Sequence, residues 1–407
     1  MIQIPYGKRD LTLNMRENMH LVKGPAENIK RSHDPIRKAL RDPIGTKRLE
    51  EICEGKKNCV IVVDDHTRNT PTKKMVGALL ETLGGKMDEI KVIFATGTHR
   101  SPRRDEIRSI LGKKIMEVVK IESHDCDDEG NLVYLGRTSF KTPIYINRTY
   151  LSSEIKIITG DISLHYYAGF GGGRKSILPG LAGRETIKKN HSLLLDSKAF
   201  MGNLDGNPVH LDMMEAARMP GAYPDFSLNV ISDSKGDVLA ASSGDLSLVF
   251  EELVKIAKKS LVKKMDNYFD EIVVGAGGHP RDINLYQSAK ALEMVKGGVR
   301  PNGKIILLAE CIEGIGDETF EAWMEECKCL DETEDKIKGD FELGGHKAYY
   351  LRKIMNRNKV FLISSLDDGL VERWGMIPKG SLDDLLDEIE GKNVGIIPTA
   401  DFMIERR

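Results

Sequence analysis

The first half of the chain repeats one pattern, in which a run of β-branched residues leads into a polar loop and then into a helix start. The pattern occurs in "NCVIVVDDHTRNTP", "EIKVIFATGTHRSP" and "SSEIKIITGDISLHYYAG". Strands that alternate with helices in this way favour an α/β fold with a mainly parallel sheet. Since ligands bind at the carboxyl ends of such strands, the three polar loops are candidate site segments.

A second strand–loop–helix unit begins at "YFDEIVVGAGGHPRDINLYQSAKALEMV", and further strands are expected in "GKIILLAEC", "KVFLISSL" and "NVGIIPTA". A chain of 407 residues is too long for one ordinary core. We therefore predict two α/β domains with mainly parallel sheets, residues 1–264 and residues 265–407. For the last residues, packing back on the first domain is an alternative prediction.

Composition excludes several classes of protein. The formal net charge of −2 gives no electrostatic reason to expect nucleic acid or an anionic membrane as a partner. No apolar run is long enough for a spanning helix, and the first residues lack the apolar core of a signal peptide. The six cysteines are scattered and form no C-x-x-C pair, which disfavours a zinc knuckle or a disulfide framework and indicates a reduced cytoplasm.

The segment "HYYAGFGGGRKSILPG", residues 165–180, is rich in glycine and contains two adjacent cations, Arg174 and Lys175. It is not a Walker A loop, because Arg174 stands where a glycine should precede Lys175, and it lacks the G-x-G-x-x-G order. Gly171, Gly172 and Gly173 nevertheless predict a loop that another group approaches closely. A phosphate-binding loop is the functional interpretation, and a flexible surface turn is the structural one.

Three of the ten histidines lie at or just beyond strand ends: His99 in "TGTHR", His165 at the start of the glycine loop and His191 in "KKNHSLL". Histidine is both a proton acceptor near neutral pH and a common metal ligand. The spacing of these histidines is compatible with two assignments of their roles. All three could bind zinc for hydrolysis, or two could act as bases while the third binds a metal.

Two further groups of polar residues follow strands. In "DDHTRNTP", Arg68 is suited to bind a carboxylate and Asp65 to hold it in place, although a surface ion pair is an equal alternative. In "YQSAK", Gln287 and Lys290 share one helix face beside Tyr286, where a solvated face is the default interpretation.

Together, these segments resemble the lactate racemase family of LarA type, the nickel-pincer 2-hydroxyacid racemases. The resemblance is collinear over roughly residues 8–400 and includes "DDHTRNTP", "TGTHR", "HYYAGFGGGRKSILPG…NH" and "GGHPRDINLYQSAK". Its most specific element is the spacing His-x9-Lys-x15-His, from His165 through Lys175 to His191.

The resemblance implies a cofactor. Members of the family carry a pyridinium-3-thioamide-5-thiocarboxylic acid mononucleotide with Ni(II), linked through a thioamide to the lysine that corresponds to Lys175. The metal ligand from the protein would be His191, a nitrogen donor that suits Ni(II). Asp65 and the three glycines at 171–173 would line the cofactor site. Because partner enzymes build this cofactor, a recombinant chain made without them is expected to lack it.

The resemblance also implies an activity, the racemisation or epimerisation of a 2-hydroxy acid by reversible hydride transfer to the cofactor. His99 and His165 would serve as acid and base on opposite faces of the substrate. Four residues would bind substrate, in a site expected in the cleft between the two domains: Arg68, Tyr286, Gln287 and Lys290.

Two alternatives to the racemase remain at this stage, a zinc-dependent hydrolase that uses the same histidines and a phosphate- or nucleotide-binding module without catalysis. The sequence leaves open which 2-hydroxy acid is used. It equally leaves open whether Trp374 lines the pocket or packs in a core, and whether Arg100 and Arg174 bind a second substrate carboxylate or the cofactor phosphate.

Overall fold

The computed structural model describes residues 1–25, 33–233, 236–339 and 341–406. The strands are β1 Ile2–Tyr6, β2 Arg9–Leu13, β3 Met19–Leu21, β4 Asn58–Asp64, β5 Glu89–Ala95, β6 Lys120–Ser123, β7 Leu132–Arg137, β8 Pro143–Asn147, β9 Ile155–Asp161, β10 Leu164–His165, β11 Gly169–Phe170, β12 Phe226–Ser232, β13 Val238–Gly244, β14 Val262–Met265, β15 Phe269–Gly275, β16 Val299–Leu308, β17 Lys359–Ile363, β18 Ile377–Pro378, β19 Val394–Ile397 and β20 Met403–Arg406.

The helices are α1 Pro35–Arg41, α2 Leu49–Ile52, α3 Thr72–Leu83, α4 Arg104–Leu111, α5 Lys113–Met116, α6 Arg148–Ser152, α7 Arg184–Ser192, α8 Pro208–Ala217, α9 Leu246–Leu261, α10 Leu285–Val295, α11 Glu318–Glu326, α12 Leu330–Gly339, α13 Gly345–Met355, α14 Asp368–Arg373 and α15 Leu382–Asp387. None of these helices is both long and apolar enough to cross a membrane.

The chain divides into two compact units. The larger unit is Ile29–Lys258, and the smaller unit combines Met1–Asn28 with Lys259–Arg407. Each contains a six-stranded sheet in which parallel pairing dominates. The predicted fold class, two α/β units with mainly parallel sheets, is therefore confirmed.

The sheet of the larger unit has the strand order β13-β12-β9-β4-β5-β6, and only β13 runs antiparallel to its neighbour. Its central strand β4 is apolar and buried on both faces, with Val60 to Val63 fully inaccessible. A strand covered on both faces needs such a continuous apolar run. This run is why the strand could be predicted from the sequence. Helix α3 packs Met75, Val76 and Leu79 into the same core.

The sheet of the smaller unit is parallel throughout, in the order β18-β17-β16-β15-β19-β3. Strand β15 leads through a loop into α10, the helix that carries "YQSAK". The final strand β20 pairs in parallel with β14, and both strands lie in the smaller unit.

The structure differs from the predicted domains at the start of the chain. Residues 1–28 belong to the smaller unit, whereas chain order had assigned them to the first domain. The hairpin β1–β2 buries Ile4 and Leu13 in the smaller unit's core, and β3 adds an edge strand beside β19. The backbone N–H of Gly7 at the hairpin turn donates to the Asp282 carboxylate at 2.6 Å. The apolar residues of this segment are thus buried against strands that follow it by more than 200 residues. The order of elements along the chain does not predict this packing.

Helix ends in the larger unit carry ordinary capping residues. Helix α3 ends at Gly84, which takes a left-handed φ of 56°, as expected of a closing glycine. It begins after Pro71, however, because the Thr70 hydroxyl donates to Asp64 and does not cap the helix. Helix α9 begins after Asp245, whose carboxylate accepts the backbone N–H groups of Ser247 and Leu248.

Candidate active site

The loops that follow β4, β5 and β9 leave the same edge of the larger unit's sheet, because these strands are parallel neighbours. From β4 the chain proceeds to β5 and β6 on one side, while β9 and β12 lie on the other side. The strand order therefore reverses beside β4, and at such a point the diverging loops leave a crevice. The loops carry eight of the predicted site residues: Asp65, Arg68, His99, His165, Gly171, Gly172, Gly173 and Lys175.

Asp65 and His99 form a hydrogen-bonded pair across the β4 and β5 loops, with Oδ2 and Nδ1 2.7 Å apart. The other carboxylate oxygen accepts the backbone N–H and the hydroxyl of Thr67, at 2.8 and 2.6 Å. Burial would raise the pKa of Asp65, but the hydrogen bonds and charge of His99, together with Thr67, lower it to about 2. An ionised Asp65 needs a hydrogen from the ring, so His99 carries its proton on Nδ1 and presents a lone pair at Nε2.

The same loop places an exposed arginine, Arg68, near the half-buried carboxylate of Asp64. Burial raises the pKa of Asp64, while the Thr70 hydroxyl and the charges of Arg68 and Lys175 act in the opposite direction. The Arg68 guanidinium is exposed and has no hydrogen-bond partner in the described part of the chain. It is therefore available to bind an anionic group.

The glycine loop is approached closely by the protein itself. Gly172 and Gly173 have φ values of 70° and 56°, and a Cβ on Gly173 would lie 2.9 Å from the Phe250 ring. A Cβ on Gly172 would lie 2.9 Å from the carbonyl oxygen of Asp161. These positions require glycine for intramolecular reasons, independent of any ligand.

Two amides of this loop are used within the protein. The Gly171 N–H donates to the Ser163 carbonyl at 2.6 Å, and the Gly173 N–H donates to the Asn229 side chain at 2.9 Å. A cradle of free backbone N–H groups, as a phosphate-binding loop would need, is therefore incomplete here. Cofactor contacts of Gly171, Gly172 and Gly173 stay a prediction.

Arg174 is a structural residue of the loop. Its side chain is fully buried, and its guanidinium donates to the carbonyls of Phe170 and Ala168 at 2.9 and 2.8 Å. It also stacks on the Phe250 ring, 4.2 Å from the centroid. Burial lowers the pKa of Arg174 to about 9. These contacts tie the loop together and are made by the two terminal nitrogens of a guanidinium that is buried away from solvent.

Lys175 follows in a short 3-10 turn, Gly173–Ser176, and its side chain is half-buried. Its ammonium has no hydrogen-bond partner among the residues that the structure describes. Burial and the charges of Arg174 and Arg68 lower the pKa of Lys175 well below its ordinary range, against a smaller opposing effect of Asp64. A lowered pKa increases the share of the neutral amine, which is the nucleophilic form of lysine.

Tyr167 links the two remaining histidines. Its ring lies edge-on between His165 and His191, with centroids 4.7 and 5.2 Å away. His165 Nδ1 accepts the backbone N–H of Ala168 at 3.3 Å, so the neutral ring carries its proton on Nε2. Burial and the charge of Lys175 lower the pKa of His165 well below its ordinary range. His191 is buried on α7.

The predicted substrate residues of the smaller unit lie at the start of α10, beyond the carboxyl end of β15. Gln287 is exposed, whereas Tyr286 and Lys290 are half-buried. The Tyr286 ring lies beneath the ammonium of Lys347, 4.8 Å from its centroid, and the same ammonium donates to the Tyr286 carbonyl at 3.0 Å. These contacts hold the first turn of the helix, and the substrate roles stay predictions.

The other residues left open by the sequence have structural partners. Trp374 is fully buried and donates its indole N–H to Glu325 at 2.7 Å, so it is a core residue of the smaller unit. Arg100 forms two hydrogen bonds of 2.7 Å with the Glu106 carboxylate. Both residues are thereby accounted for without a ligand.

The geometry gives the zinc hydrolase no support. Within the described ranges, the one group of three or more metal-binding side chains with ligand atoms inside 4.8 Å is Asp125, Cys126 and Asp127. Asp127 is there held by Arg184 through two bonds of 2.6 Å. The three candidate histidines thus do not form a ready tetrahedral zinc site.

Sequence reasoning missed the buried polar residues around the site. Asn190 and Asp212 are fully buried and hydrogen-bonded to one another beside His191, and Asn229 holds the glycine loop. The dipeptide Asn190-His191 in the family motif was a signal for the first of these. The partners from other helices and strands have no local signal.

Comparison with known proteins bears on this two-unit α/β arrangement. Models of the lactate racemase N-terminal and C-terminal domains match residues 6–202 and 265–400. A lactate racemase of Thermoanaerobacterium thermosaccharolyticum is 31% identical over all of this chain and 99% of its own. A lactate racemase of Lactiplantibacillus plantarum is 32% identical over 78% of this chain and 77% of its own.

Solved structures agree. The lactate racemase apoprotein from T. thermosaccharolyticum matches with a TM-score of 0.90 at 30% identity, covering 99% of both chains. A protein from Thermotoga maritima matches with a TM-score of 0.71 at 18% identity, which supports the fold alone. The fold and these relatives define a racemase-type isomerase. The chain belongs to the lactate racemase family.

Proposed function

We propose that this chain racemises or epimerises a 2-hydroxy acid of the lactate type, using a nickel-pincer nucleotide attached at Lys175. The observation that carries the proposal is the electrostatic grouping of Lys175 with His165 and Arg68 at the switch point of the sheet. A nucleophilic amine, a half-buried histidine and an exposed guanidinium are the groups needed to anchor a cofactor, exchange a proton and bind a carboxylate.

The residues present fit the cofactor. Lys175 has a lowered pKa and no hydrogen-bond partner among the described residues, which suits an amine that forms a covalent link. His191 offers an imidazole nitrogen, a donor that Ni(II) accepts. When bound, the nickel-pincer nucleotide supplies a reversible acceptor for the hydride on C2 of the substrate.

His99 is suited to act as the base. Its lone pair at Nε2 accepts the hydroxyl proton of the substrate, and the imidazolium that forms is stabilised by the Asp65 carboxylate 2.7 Å from Nδ1. Asp65 also prevents the ring from turning, because Thr67 fixes the other carboxylate oxygen.

His165 is suited to exchange a proton on the other face. Without substrate, burial and the charges of Lys175 and Arg68 hold the pKa of His165 well below its ordinary range, and the contribution of Lys175 disappears once the cofactor is attached. A bound 2-hydroxy acid brings a carboxylate beside Arg68, and an anion nearby raises a histidine pKa. Substrate binding would therefore return His165 towards the range where it gives and takes a proton. Arg68 is the first candidate to bind that carboxylate, because its guanidinium is exposed.

The test is expression together with the enzymes that build the cofactor, followed by intact-protein mass spectrometry, metal analysis and chiral chromatography. We expect an added mass on Lys175, nickel, and interconversion of the enantiomers of at least one 2-hydroxy acid. Lys175→Met should abolish all three, while Lys189→Met, an exposed lysine on α7, should leave them unchanged. An unmodified Lys175 in cells that mature a known lactate racemase would overturn the proposal.

A further inference from the structure

His191 is connected to a buried carboxylate through its neighbour in the chain. The Asn190 side chain lies between them, with its Oδ1 3.2 Å from His191 Nδ1 and its Nδ2 2.8 Å from Asp212 Oδ2. The exposed fraction is 3% for His191 and 0% for Asn190 and Asp212. Water therefore cannot substitute for these hydrogen bonds, and each group depends on its protein partner.

The orientation of the Asn190 amide follows from its surroundings. Its NH2 group donates to two groups that can only accept, the Asp212 carboxylate and the Val209 carbonyl, the latter at 3.2 Å. Turning the amide over would set its carbonyl oxygen against both acceptors. The carbonyl oxygen must therefore face His191, and that ring must carry its hydrogen on Nδ1.

Asp212 is held just as firmly. Its carboxylate accepts the hydroxyls of Thr142, at 2.8 Å, and Thr138, at 2.5 Å, in addition to the Asn190 amide. The Thr138 hydroxyl also accepts the backbone N–H of Thr142 at 3.2 Å, which leaves it to donate to Asp212. A buried carboxylate surrounded by donors gives the chain of hydrogen bonds one direction, from His191 through Asn190 to Asp212.

We propose that Asn190 and Asp212 are positioning residues that hold His191 as its Nδ1–H tautomer, so that the lone pair for the metal lies on Nε2. The inference rests on the proposed function, in which His191 is the protein ligand of nickel. Partners of this kind fix the orientation of a metal-binding histidine and raise its basicity, and their loss commonly lowers metal affinity about 10- to 100-fold.

The larger unit contains a second buried histidine, His124, which serves as a comparison because its Nδ1 faces a hydrogen-bond donor. His124 Nδ1 lies 3.2 Å from the amide nitrogen of Asn147, and His124 Nε2 lies 3.0 Å from the Ala182 carbonyl. Because the Ala182 carbonyl can only accept, His124 must donate from Nε2. His124 is therefore the Nε2–H tautomer. Two buried asparagines thus impose opposite tautomers on two buried histidines.

The first test uses the wild-type protein without cofactor. Nitrogen-15 NMR of the histidine rings, assigned with His191→Gln and His124→Gln, distinguishes a protonated from an unprotonated ring nitrogen. We expect the Nδ1–H tautomer for His191 and the Nε2–H tautomer for His124. An Nε2–H tautomer, or an average of the two, at His191 would overturn the inference whether or not the protein is a racemase.

The second test measures nickel retention in protein matured with the cofactor enzymes. Asn190→Ala should keep the added mass on Lys175 but lose nickel to a chelator about 10- to 100-fold more readily than wild type. Asn147→Ala removes an equally buried asparagine beside His124 and should retain nickel as wild type does. Equal nickel retention in all three proteins would overturn the inference.

A milder variant covers the case in which Asn190→Ala does not fold. Thr142→Val removes one hydroxyl from Asp212 while preserving side-chain shape, and it should shift nickel retention in the same direction by a smaller factor. A wild-type protein with neither added mass nor nickel would instead refute the proposed function, and the NMR result would still decide how His191 is held.

Discussion

The histidines of the larger unit differ in what lies opposite Nδ1. His99 faces the Asp65 carboxylate and His191 faces an amide carbonyl, so both carry the hydrogen on Nδ1. His124 and His165 face N–H donors, so both carry it on Nε2. A neutral histidine offers one lone pair, and its partner decides on which nitrogen it lies. The same residue type can therefore act as a base, a ligand or a structural contact.

Replacement of Asp65 should show how strongly the pair with His99 stabilises the fold. The pKa of Asp65 is lowered from 3.8 to about 2 in the folded protein. A lowered pKa means that the carboxylate stabilises the folded state above pH 4, and that this contribution is lost as the pH falls from about 4 to 2. It amounts to about 2 kcal/mol. Asp65→Asn should lower the free energy of unfolding at pH 6 by that amount.

Urea unfolding at pH 6, 4 and 3 measures this effect. The difference between Asp65→Asn and wild type should shrink as the pH falls, whereas Asp205→Asn, an exposed carboxylate of the same unit, should give no pH-dependent difference. A difference that stays constant from pH 6 to pH 3 would contradict the assignment.

At the scale of elements, the glycine loop is a segment whose shape is set by packing against α9 and β9. Phe250 of α9 stacks on the Arg174 guanidinium and closes the space beside Gly173. Arg174 in turn donates to two loop carbonyls. The loop is therefore rigid where it presents Lys175, which is how a reactive side chain is held in place.

Gly173→Ala should disturb the loop more than a comparable substitution elsewhere. Gly173 and Gly55 both have positive φ, of 56° and 72°, so alanine is strained at either position. A Cβ on Gly55 would meet nothing within 4 Å, whereas one on Gly173 would meet Phe250 at 2.9 Å. We expect Gly55→Ala to cost about 1 kcal/mol and Gly173→Ala about 1–3 kcal/mol more, because of overpacking.

Urea unfolding of the two variants measures the difference directly. Equal destabilisation would mean that Phe250 moves away without cost and that the loop is not held by α9.

At the scale of the whole molecule, the chain does not divide where its order suggests. The first hairpin and β3 complete the smaller unit, whose remaining strands come from the second half of the chain. Strand β19 is covered on one edge by β3 and on the other by β15. The smaller unit therefore depends on both ends of the chain.

Deletion of residues 1–21 should loosen the smaller unit selectively. Loss of β3 turns β19 into an edge strand, and loss of the hairpin uncovers the apolar residues around Val273. Hydrogen exchange followed by mass spectrometry should become faster in β15 and β19 and stay unchanged in β4. Ile4→Ala, which keeps the chain length, should give the same pattern at smaller amplitude. Faster exchange in β4 as well would contradict this division.

Several features could be predicted from the sequence because they are local. The runs rich in β-branched residues that form β4, β5 and β9 can be recognised in consecutive residues, as can the polar loops after them and the glycine that ends α3. The spacing of His165, Lys175 and His191 indicated the family, which the comparisons confirm.

The tertiary structure alone decided the rest, because it concerns contacts between residues far apart in the chain. Gly172 and Gly173 lie close to Asp161 and Phe250, and the Arg174 guanidinium donates to carbonyls of the loop. Asp212 reaches His191 only through an intervening asparagine. The apolar residues of the first hairpin pack against residues from the last third of the chain. Which polar atom meets which is set by packing, so the sequence determined the kind of site, and the fold determined how each side chain is held.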